Sequence, residues 1–126
     1  MTIQEALANV DELKPNNIAR GTKIRWLGEV DGMVVDKLIR THEQPKGAPE
    51  EYVPYTKETD ENTVLLIPYP HDEIYRWYME AQIHLRNMEM DQYQNMQGFF
   101  QKAWDEYRRK YNREHMPKQM AYGLKF

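Results

Sequence analysis

The sequence predicts a mostly α-helical protein: a bundle of about four helices with a long C-terminal helical hairpin and a central extended arm or small β-hairpin. Apolar residues recur at three- and four-residue steps before residue 41 and again after residue 69. Most of the aromatic residues lie between Tyr75 and Tyr111. Four prolines and a glycine interrupt residues 41–69, where they prevent a long helix.

Composition narrows the class of protein. The 126 residues suit one domain, spanning 1–126, and 40% of them are hydrophobic. The absence of cysteine excludes disulfides and thiolate metal sites. The net charge of -3 gives no general attraction to nucleic acid. The start of the chain lacks the pattern of a signal peptide, and no apolar run is long enough to span a membrane, so we expect neither.

The N-terminal helices occupy residues 1–40. Thr2 and Glu5 fit a capping box at the start of the first helix, and Pro15 ends that helix after Lys14. Its apolar face is Ile3, Ala6, Leu7 and Val10. The second helix is predicted over 22–40, capped by Thr22. Its apolar stripe is Ile24, Leu27, Val30 (or Asp31), Val34 and Leu38, widened by Trp26, Met33 and Ile39.

Two glycines, Gly28 and Gly32, lie four residues apart inside the second helix, where each costs about 1 kcal/mol relative to alanine. Two interpretations stay open: tolerance at an exposed site, or close approach of another backbone.

Residues 41–69 contain two strand-like runs, Tyr52-Val53 and 63–67, separated by residues of turn composition. A two-stranded hairpin or an extended arm is expected. Connections of this length are usually functional or disordered, so the segment could reach a neighbouring molecule.

The C-terminal hairpin is predicted over 70–116. Pro70 starts its first helix, whose stripe is Ile74, Trp77 (or Tyr78), Ala81 and Leu85. A tight link or a kink follows at Asn87 to Glu89. The second helix of the hairpin covers Met90 to Arg113 and is closed by Pro117. Its stripe is Tyr93, Met96, Phe100, Ala103, Tyr107 and Tyr111. The remaining tail, 117–126, is rich in apolar residues, which favours docking on a partner or on the body.

No catalytic, cofactor or metal site is predicted. Glu80 and His84 share a helix face, but no further ligand pattern surrounds them, nor does one surround His42, His71 or His115. No glycine-rich phosphate loop is present. Acidic residues of the first two helices are attributed to solvated helix faces: Asp11, Glu12, Glu29, Asp31 and Asp36. The basic run at Arg108, Arg109, Lys110 and Arg113 is attributed to the helix dipole and the surface.

The candidate functional residues are therefore protein-contact residues. Four lie off the predicted stripes of the hairpin, and either a subunit contact or a place in the core would explain them: Tyr75, Arg76, Phe99 and Trp104. Four lie in the central arm: Tyr52, Val53, Tyr55 and Val64. Four lie in the tail: Met120, Tyr122, Leu124 and Phe126.

Four segments in this order resemble small proteins encoded by tailed bacteriophages and prophages of Gram-positive bacteria. They are VDELKPNN, IRWLGEVDGMVVDKLIRTHE, YTKETDENTVLLIPYPHDEIYRWYMEAQIHLRN and YNREHMPK, which together cover most of Val10 to Lys118. The family resembled is that of the head-tail connector adaptors.

The resemblance implies a virion protein without enzymatic activity, forming a homo-oligomeric ring of twelve copies in the neck after assembly in the host cytoplasm. Implied partners are the portal protein and a tail, stopper or tail-completion protein, with DNA passing through the lumen without specific binding. By analogy, Glu43–Ile67 and Lys118–Phe126 would make the contacts. Two alternatives stay open: a non-virion helical assembly chaperone or regulatory binding module, and an enzyme with an unfamiliar site at Glu80 and His84.

Overall fold

The computed structural model describes residues 1–41 and 52–115, and it is mostly helical. Its four α-helices are α1 (Ile3–Leu13), α2 (Arg20–Val34), α3 (Glu73–Arg86) and α4 (Met90–Glu114). Helix α2 continues directly into a π-helical segment, Val35–Ile39. The helical bundle and its C-terminal hairpin are thus confirmed. The predicted tail and part of the predicted arm, residues 42–51 and 116–126, lie outside the described residues.

Helix α1 begins and ends where the sequence predicts. The Thr2 hydroxyl accepts from the Glu5 backbone N–H at 3.2 Å, and the Glu5 carboxylate accepts from the Thr2 N–H at 3.0 Å. This reciprocal pair is a capping box, which satisfies two backbone donors at the helix start. The four residues of the predicted apolar face are all buried.

Helix α2 begins earlier than predicted. The backbone N–H groups of Thr22 and Lys23 both bond to the Ala19 carbonyl, so Thr22 lies within the first turn and does not cap the helix. The predicted stripe is nevertheless confirmed, because its apolar members and Trp26 are all buried. The Lys23 ammonium reaches back to the Asp11 carboxylate of α1 at 2.6 Å, which joins the two helices.

The segment between the two helical pairs, residues 52–72, does not form the predicted hairpin. In the part of the chain described, the β pairing is one antiparallel bridge between Thr2 and Val64. Ile3 N–H bonds to the Thr63 carbonyl at 3.0 Å, and Leu65 N–H bonds to the Met1 carbonyl at 2.9 Å. The second strand-like run therefore pairs with the N-terminus of the chain, and Tyr52-Val53 takes no part.

The same segment explains why Gly28 is a glycine. A Cβ atom at this position would lie 3.2 Å from both the Cβ and the backbone nitrogen of Tyr55, whereas one at Gly98 in α4 would meet nothing within 4 Å. The close approach of another backbone to Gly28 is thus confirmed.

Alanine should distinguish these two glycines. At Gly98 it should raise the free energy of unfolding by about 0.5–1 kcal/mol, because helix propensity improves at no steric cost. At Gly28 the crowding against Tyr55 should cancel or reverse this gain. Urea unfolding followed by circular dichroism would measure both, and an equal gain at the two sites would contradict the close approach.

Helices α3 and α4 make the most extensive helix–helix contact. Helix α3 begins at Glu73 instead of Pro70, because residues 68–71 form a turn in which His71 N–H bonds to the Pro68 carbonyl. The link after α3 is closed by bonds from Met88 N–H to Leu85 and from Glu89 N–H to His84, a Schellman arrangement. Met88 accordingly has a positive φ of 61°.

One hydrophobic core joins all four helices and the segment between them. Leu65 and Ile67 of that segment are buried in it beside residues of α1, α2 and α3. The described part of the predicted arm therefore packs on the helices.

Candidate interaction surface

A buried carboxylate fixes the 52–72 segment to the helices. Asp31 of α2 is fully buried. One of its oxygens accepts from the Tyr55 hydroxyl at 2.7 Å and from the Leu66 backbone N–H at 3.2 Å. The other oxygen accepts from the Tyr75 hydroxyl, which itself accepts from the Ile67 N–H at 2.8 Å. Asp31 thus joins α2, the segment and α3 in one network.

Burial disfavours the ionised form of Asp31, but the polar side-chain atoms of the network have hydrogen-bond partners. Burial raises the pKa of Asp31, although the hydrogen bonds from Tyr75, Tyr55 and Leu66 oppose that rise. Burial, reinforced by the negative charge of Asp31, raises the pKa of Tyr75, so its hydroxyl keeps the proton that it donates. Among the described residues, no buried side-chain nitrogen or oxygen lacks a hydrogen-bond partner.

The anchored segment presents apolar side chains to solvent. Along residues 64–67, Leu65 and Ile67 are buried, whereas Val64 and Leu66 are 66% and 39% exposed. This alternation is what an extended backbone lying on a core produces. We call Val64 and Leu66 the outer row. Val53, which precedes the outer row, and Tyr69, which follows it, are also exposed.

A groove runs between α3 and α4. Its apolar lining residues are Pro70, Trp77, Phe99 and Ala103, and its polar lining residues are His71, Glu73, Lys102 and Glu106. The cavity measures about 240 Å³. The rings of Trp77 and Phe99 lie 5.0 Å apart, and Phe99 is 49% exposed. We call this feature the α3–α4 groove.

Two of the predicted contact residues are core residues. Tyr75 is fully buried, and Trp104 is 6% exposed and lies between the rings of Phe100 and Tyr107. The predicted stripes are confirmed in part: Ile74 and Ala81 of α3 and Phe100, Tyr107 and Tyr111 of α4 are buried, as predicted. The buried faces also include Tyr75 and Trp104, whereas Leu85 of the predicted α3 stripe is exposed. Neither Tyr75 nor Trp104 is available to a partner on this surface.

Some of the other predicted contact residues are exposed, and others form contacts within the chain. Val53, Val64 and Phe99 are exposed. Arg76 pairs with Glu80 at 2.6 Å and covers the Trp77 ring at 4.3 Å. The Tyr52 hydroxyl donates to the Gly28 carbonyl at 2.8 Å, so this ring and Tyr55 hold the segment in place. The tail candidates lie outside the described residues: Met120, Tyr122, Leu124 and Phe126.

The groups considered for chemistry are engaged in structural contacts. His84 contacts Glu89 at 2.9 Å, while Glu80 pairs with Arg76. Within residues 1–41 and 52–115, no three acidic or histidine side chains converge to hold a metal ion. Arg108 and Lys110 of the basic run lie near acids of their own helix. Of the helices described, none is both long and apolar enough to cross a bilayer.

The sequence patterns place Asp31 in two ways, as an alternative to Val30 in the apolar stripe and as an acid of a solvated helix face; the structure shows that the second interpretation is wrong. A signal was present, since Asp31 lies four residues after Leu27 and three before Val34, within the buried stripe. A carboxylate at such a position needs buried donors. The tyrosines that supply them are distant in sequence, so the pattern of one helix could not identify them.

Comparison of the chain with protein-family models, curated proteins and solved structures finds no match.

Proposed function

We propose that this chain is a structural subunit of the neck of a tailed bacteriophage, a head-tail connector adaptor that forms a ring between the portal and the tail or stopper. The observation that carries the proposal is the outer row: two apolar side chains exposed on an extended segment whose backbone is held by a buried carboxylate. The resemblance of the four sequence segments supplies the family and the copy number of twelve. No enzymatic activity is part of the proposal.

A fixed apolar surface suits a subunit that acts by association. Large contiguous patches of exposed apolar surface mark contact sites, and the outer row would form part of such a patch. Ordering a loop on binding costs free energy. Here the segment is already ordered within the monomer, because Asp31 and the Thr2–Val64 bridge hold its backbone in place. An ion pair between Arg20 and Glu61 also ties the segment to α2. The outer row is thus ready to bind without rearrangement.

The charge of the chain is compatible with DNA passing through the ring. Tight binding to phosphates depends on lysine and arginine, and the chain carries 17 of these against 20 acidic residues. A lumen formed by such a chain would not retain DNA strongly.

Mass spectrometry of purified virions tests the assignment. In particles of the phage or induced prophage that encodes the chain, we expect it at about the copy number of the portal protein. Its absence from particles that contain the portal would overturn the proposal, and would favour an assembly chaperone or a regulatory module.

A matched pair of substitutions tests the outer row. Val64→Asp places a charge in the row, whereas Asn62→Asp adds the same charge two residues earlier at an exposed position. We expect V64D to lower incorporation into particles at least about tenfold, and N62D to leave it near the wild-type level. Circular dichroism should show that both variants are folded. Equal incorporation of the two would exclude the outer row as a contact.

A further inference from the structure

Helix α4 presents one exposed stripe that combines an aromatic ring with positive charge. From Phe99 in the α3–α4 groove, exposed residues recur at steps of three and four, so they lie on one face of the helix. The neighbouring Arg108 and Lys110 have acids of their own helix beside them, but within the described part of the chain the bases of this face form no ion pair. We call this face the α4 stripe; its members are Phe99, Lys102, Glu106, Arg109 and Arg113.

The groove itself carries charge of both signs, whereas the end of α4 beyond it is basic. Glu73 and Glu106 are the acids of the groove, and His71 adds a positive charge to Lys102 only when it is protonated. The two arginines of the α4 stripe lie about one and two helical turns beyond Glu106. A partner that fits this surface would therefore place apolar side chains in the groove and acids beside the arginines.

The turns before the outer row contain acids of this kind. Residues 57–62 form these turns, and Glu58 and Asp60 are exposed there without an ion pair among the described residues. The exposed bases of this region lie toward α2 instead, because Lys57 packs against Gly21 and Arg25 follows one helical turn later. The outer row thus has free acids next to it.

Helix α1 adds to the negative charge around the outer row. Its start is joined to that row by the Thr2–Val64 bridge, and it exposes Glu5 and Glu12. The amino group of Met1 is a positive charge near Glu5. The acids around the outer row therefore outnumber the positive charge of this amino group.

The outer row and the α4 stripe lie on different flanks of α3, at the same end of the bundle. Helix α1 packs against α2 and α3, whereas α4 packs against α3 and the π-helical segment. The Ile67 N–H, just after the outer row, bonds to the hydroxyl of Tyr75 near the start of α3. That same part of α3 carries Glu73, which lines the groove with Glu106. One molecule can therefore offer the two surfaces to two neighbours at a similar height.

We propose that the α3–α4 groove and the α4 stripe of one copy bind the outer row of a second copy of this chain. Val64 and Leu66 cover Trp77 and Phe99, and the acids of the 57–62 turns lie beside the two arginines of the stripe. The contact joins two different surfaces, so it leaves one of each free on every dimer and lets further copies close a ring. It rests on the proposed function, since a ring requires such a contact, and it names the surface that the outer row meets.

Mixed disulfide formation between copies tests the contact, since the chain has no cysteine of its own. Equal amounts of Val64→Cys and Lys102→Cys chains are mixed at high micromolar concentration and mildly oxidised. In the control mixture, Gln101→Cys replaces K102C; Gln101 is also exposed but is rotated by about 100° from Lys102, away from the α4 stripe. Each rate is divided by the rate at which the same cysteine reacts with a small disulfide, which corrects for its accessibility.

We expect V64C to form the mixed dimer with K102C at least about tenfold faster than with Q101C, because a disulfide requires Cα atoms within about 7 Å. Loss of the Lys102 charge weakens the pairing, so it cannot cause a faster reaction. Mass spectrometry distinguishes the mixed dimer from the two homodimers. Equal rates in the two mixtures would overturn the contact. V64C homodimers as the main product would also overturn it, because they would show that one outer row meets another.

Charge reversal tests the pairing of the acids with the arginines. Arg109→Glu and Arg113→Glu, added to the K102C chain, should slow the mixed dimer several-fold, because like charges then meet. Glu58→Lys and Asp60→Lys, added to the V64C chain, should restore the rate with that variant. All four positions are exposed, so circular dichroism should show folded chains. Unchanged rates, or slowing without restoration, would contradict this pairing.

The disulfide experiment and the analysis of virions can fail separately. A chain present in particles at the copy number of the portal, but with equal rates in the two mixtures, would overturn this contact and leave the neck assignment in place. A chain that forms the specific mixed dimer but is absent from particles would keep the contact and overturn the neck assignment.

Discussion

Replacement of Asp31 by alanine is expected to lower the free energy of unfolding by about 3 kcal/mol, the largest effect of any single polar substitution considered. The change leaves the hydroxyls of Tyr55 and Tyr75 and the Leu66 N–H without their acceptor. Each buried donor left unsatisfied costs about 1–3 kcal/mol, and part of that cost is offset because a carboxylate no longer has to be buried. Urea unfolding followed by circular dichroism would measure the loss.

The control is Asp36→Ala, a second aspartate in the same continuous helix. Its side chain is 70% exposed and forms an ion pair with Arg40 at 3.5 Å. Exposed pairs of this kind contribute roughly 0–1 kcal/mol. If D31A and D36A were equally stable, Asp31 would not be the anchor of the 52–72 segment.

The raised pKa of Asp31 gives this prediction a second readout. Folded Asp31 holds its proton to higher pH than the unfolded chain, in which aspartate titrates near about 3.9. In that interval the folded state binds more protons, so the contribution of Asp31 to stability is highest below the unfolded pKa and is lost as pH rises through the folded pKa. Asp31→Asn does not titrate. The stability of the wild type minus that of D31N should therefore fall as pH rises from about 4, and a rising difference would contradict the assigned shift.

Ile67→Ala is expected to cost about 2–5 kcal/mol, as large-to-small changes in a core do. Ile67 belongs to the stretch that the sequence predicts to be an arm or hairpin, yet its side chain is fully buried in the core. An arm extending from the body would lose little on this change. Chemical denaturation again provides the measurement.

Val64→Ala is the matched control, three residues earlier in the same segment and 66% exposed. We expect it to alter the free energy of unfolding by no more than about 0.5 kcal/mol. A small loss for I67A, or similar losses for both variants, would mean that the segment does not pack with Ile67 inward.

The sequence predicts helix ends well where the determining chemistry is local. The capping box at Thr2, the stop before Pro15 and the start of α4 at Met90 each depend on a few neighbouring residues. The predicted stripes identify part of the buried faces of α3 and α4, but the full width of each face could not be predicted this way, because it depends on which partners each helix meets. Tyr75, which the sequence pattern leaves open between a contact surface and the core, is a core residue.

The path of the 52–72 segment was beyond prediction for a related reason. Its place is set by hydrogen bonds between Asp31 and Leu66, and between Asp31 and Tyr75, which are 35 and 44 residues apart in sequence. Besides the position of Asp31 in the buried stripe, Gly28 was a local indication, since a glycine inside a helix raises the question of what lies against it. It identified a close approach but not the residue, Tyr55, that makes it.

The bridge between Thr2 and Val64 has a consequence for synthesis of the chain. Helix α1 is synthesised well before residues 61–65, which pair with its start, and before α3, against which it also packs. During that interval its apolar face has neither of these partners. In the nascent chain, Ile3, Leu7 and Val10 would therefore lack their contacts with residues 61–65 and with α3 until α3 has emerged. At this stage they would be accessible to chaperones that bind short apolar segments.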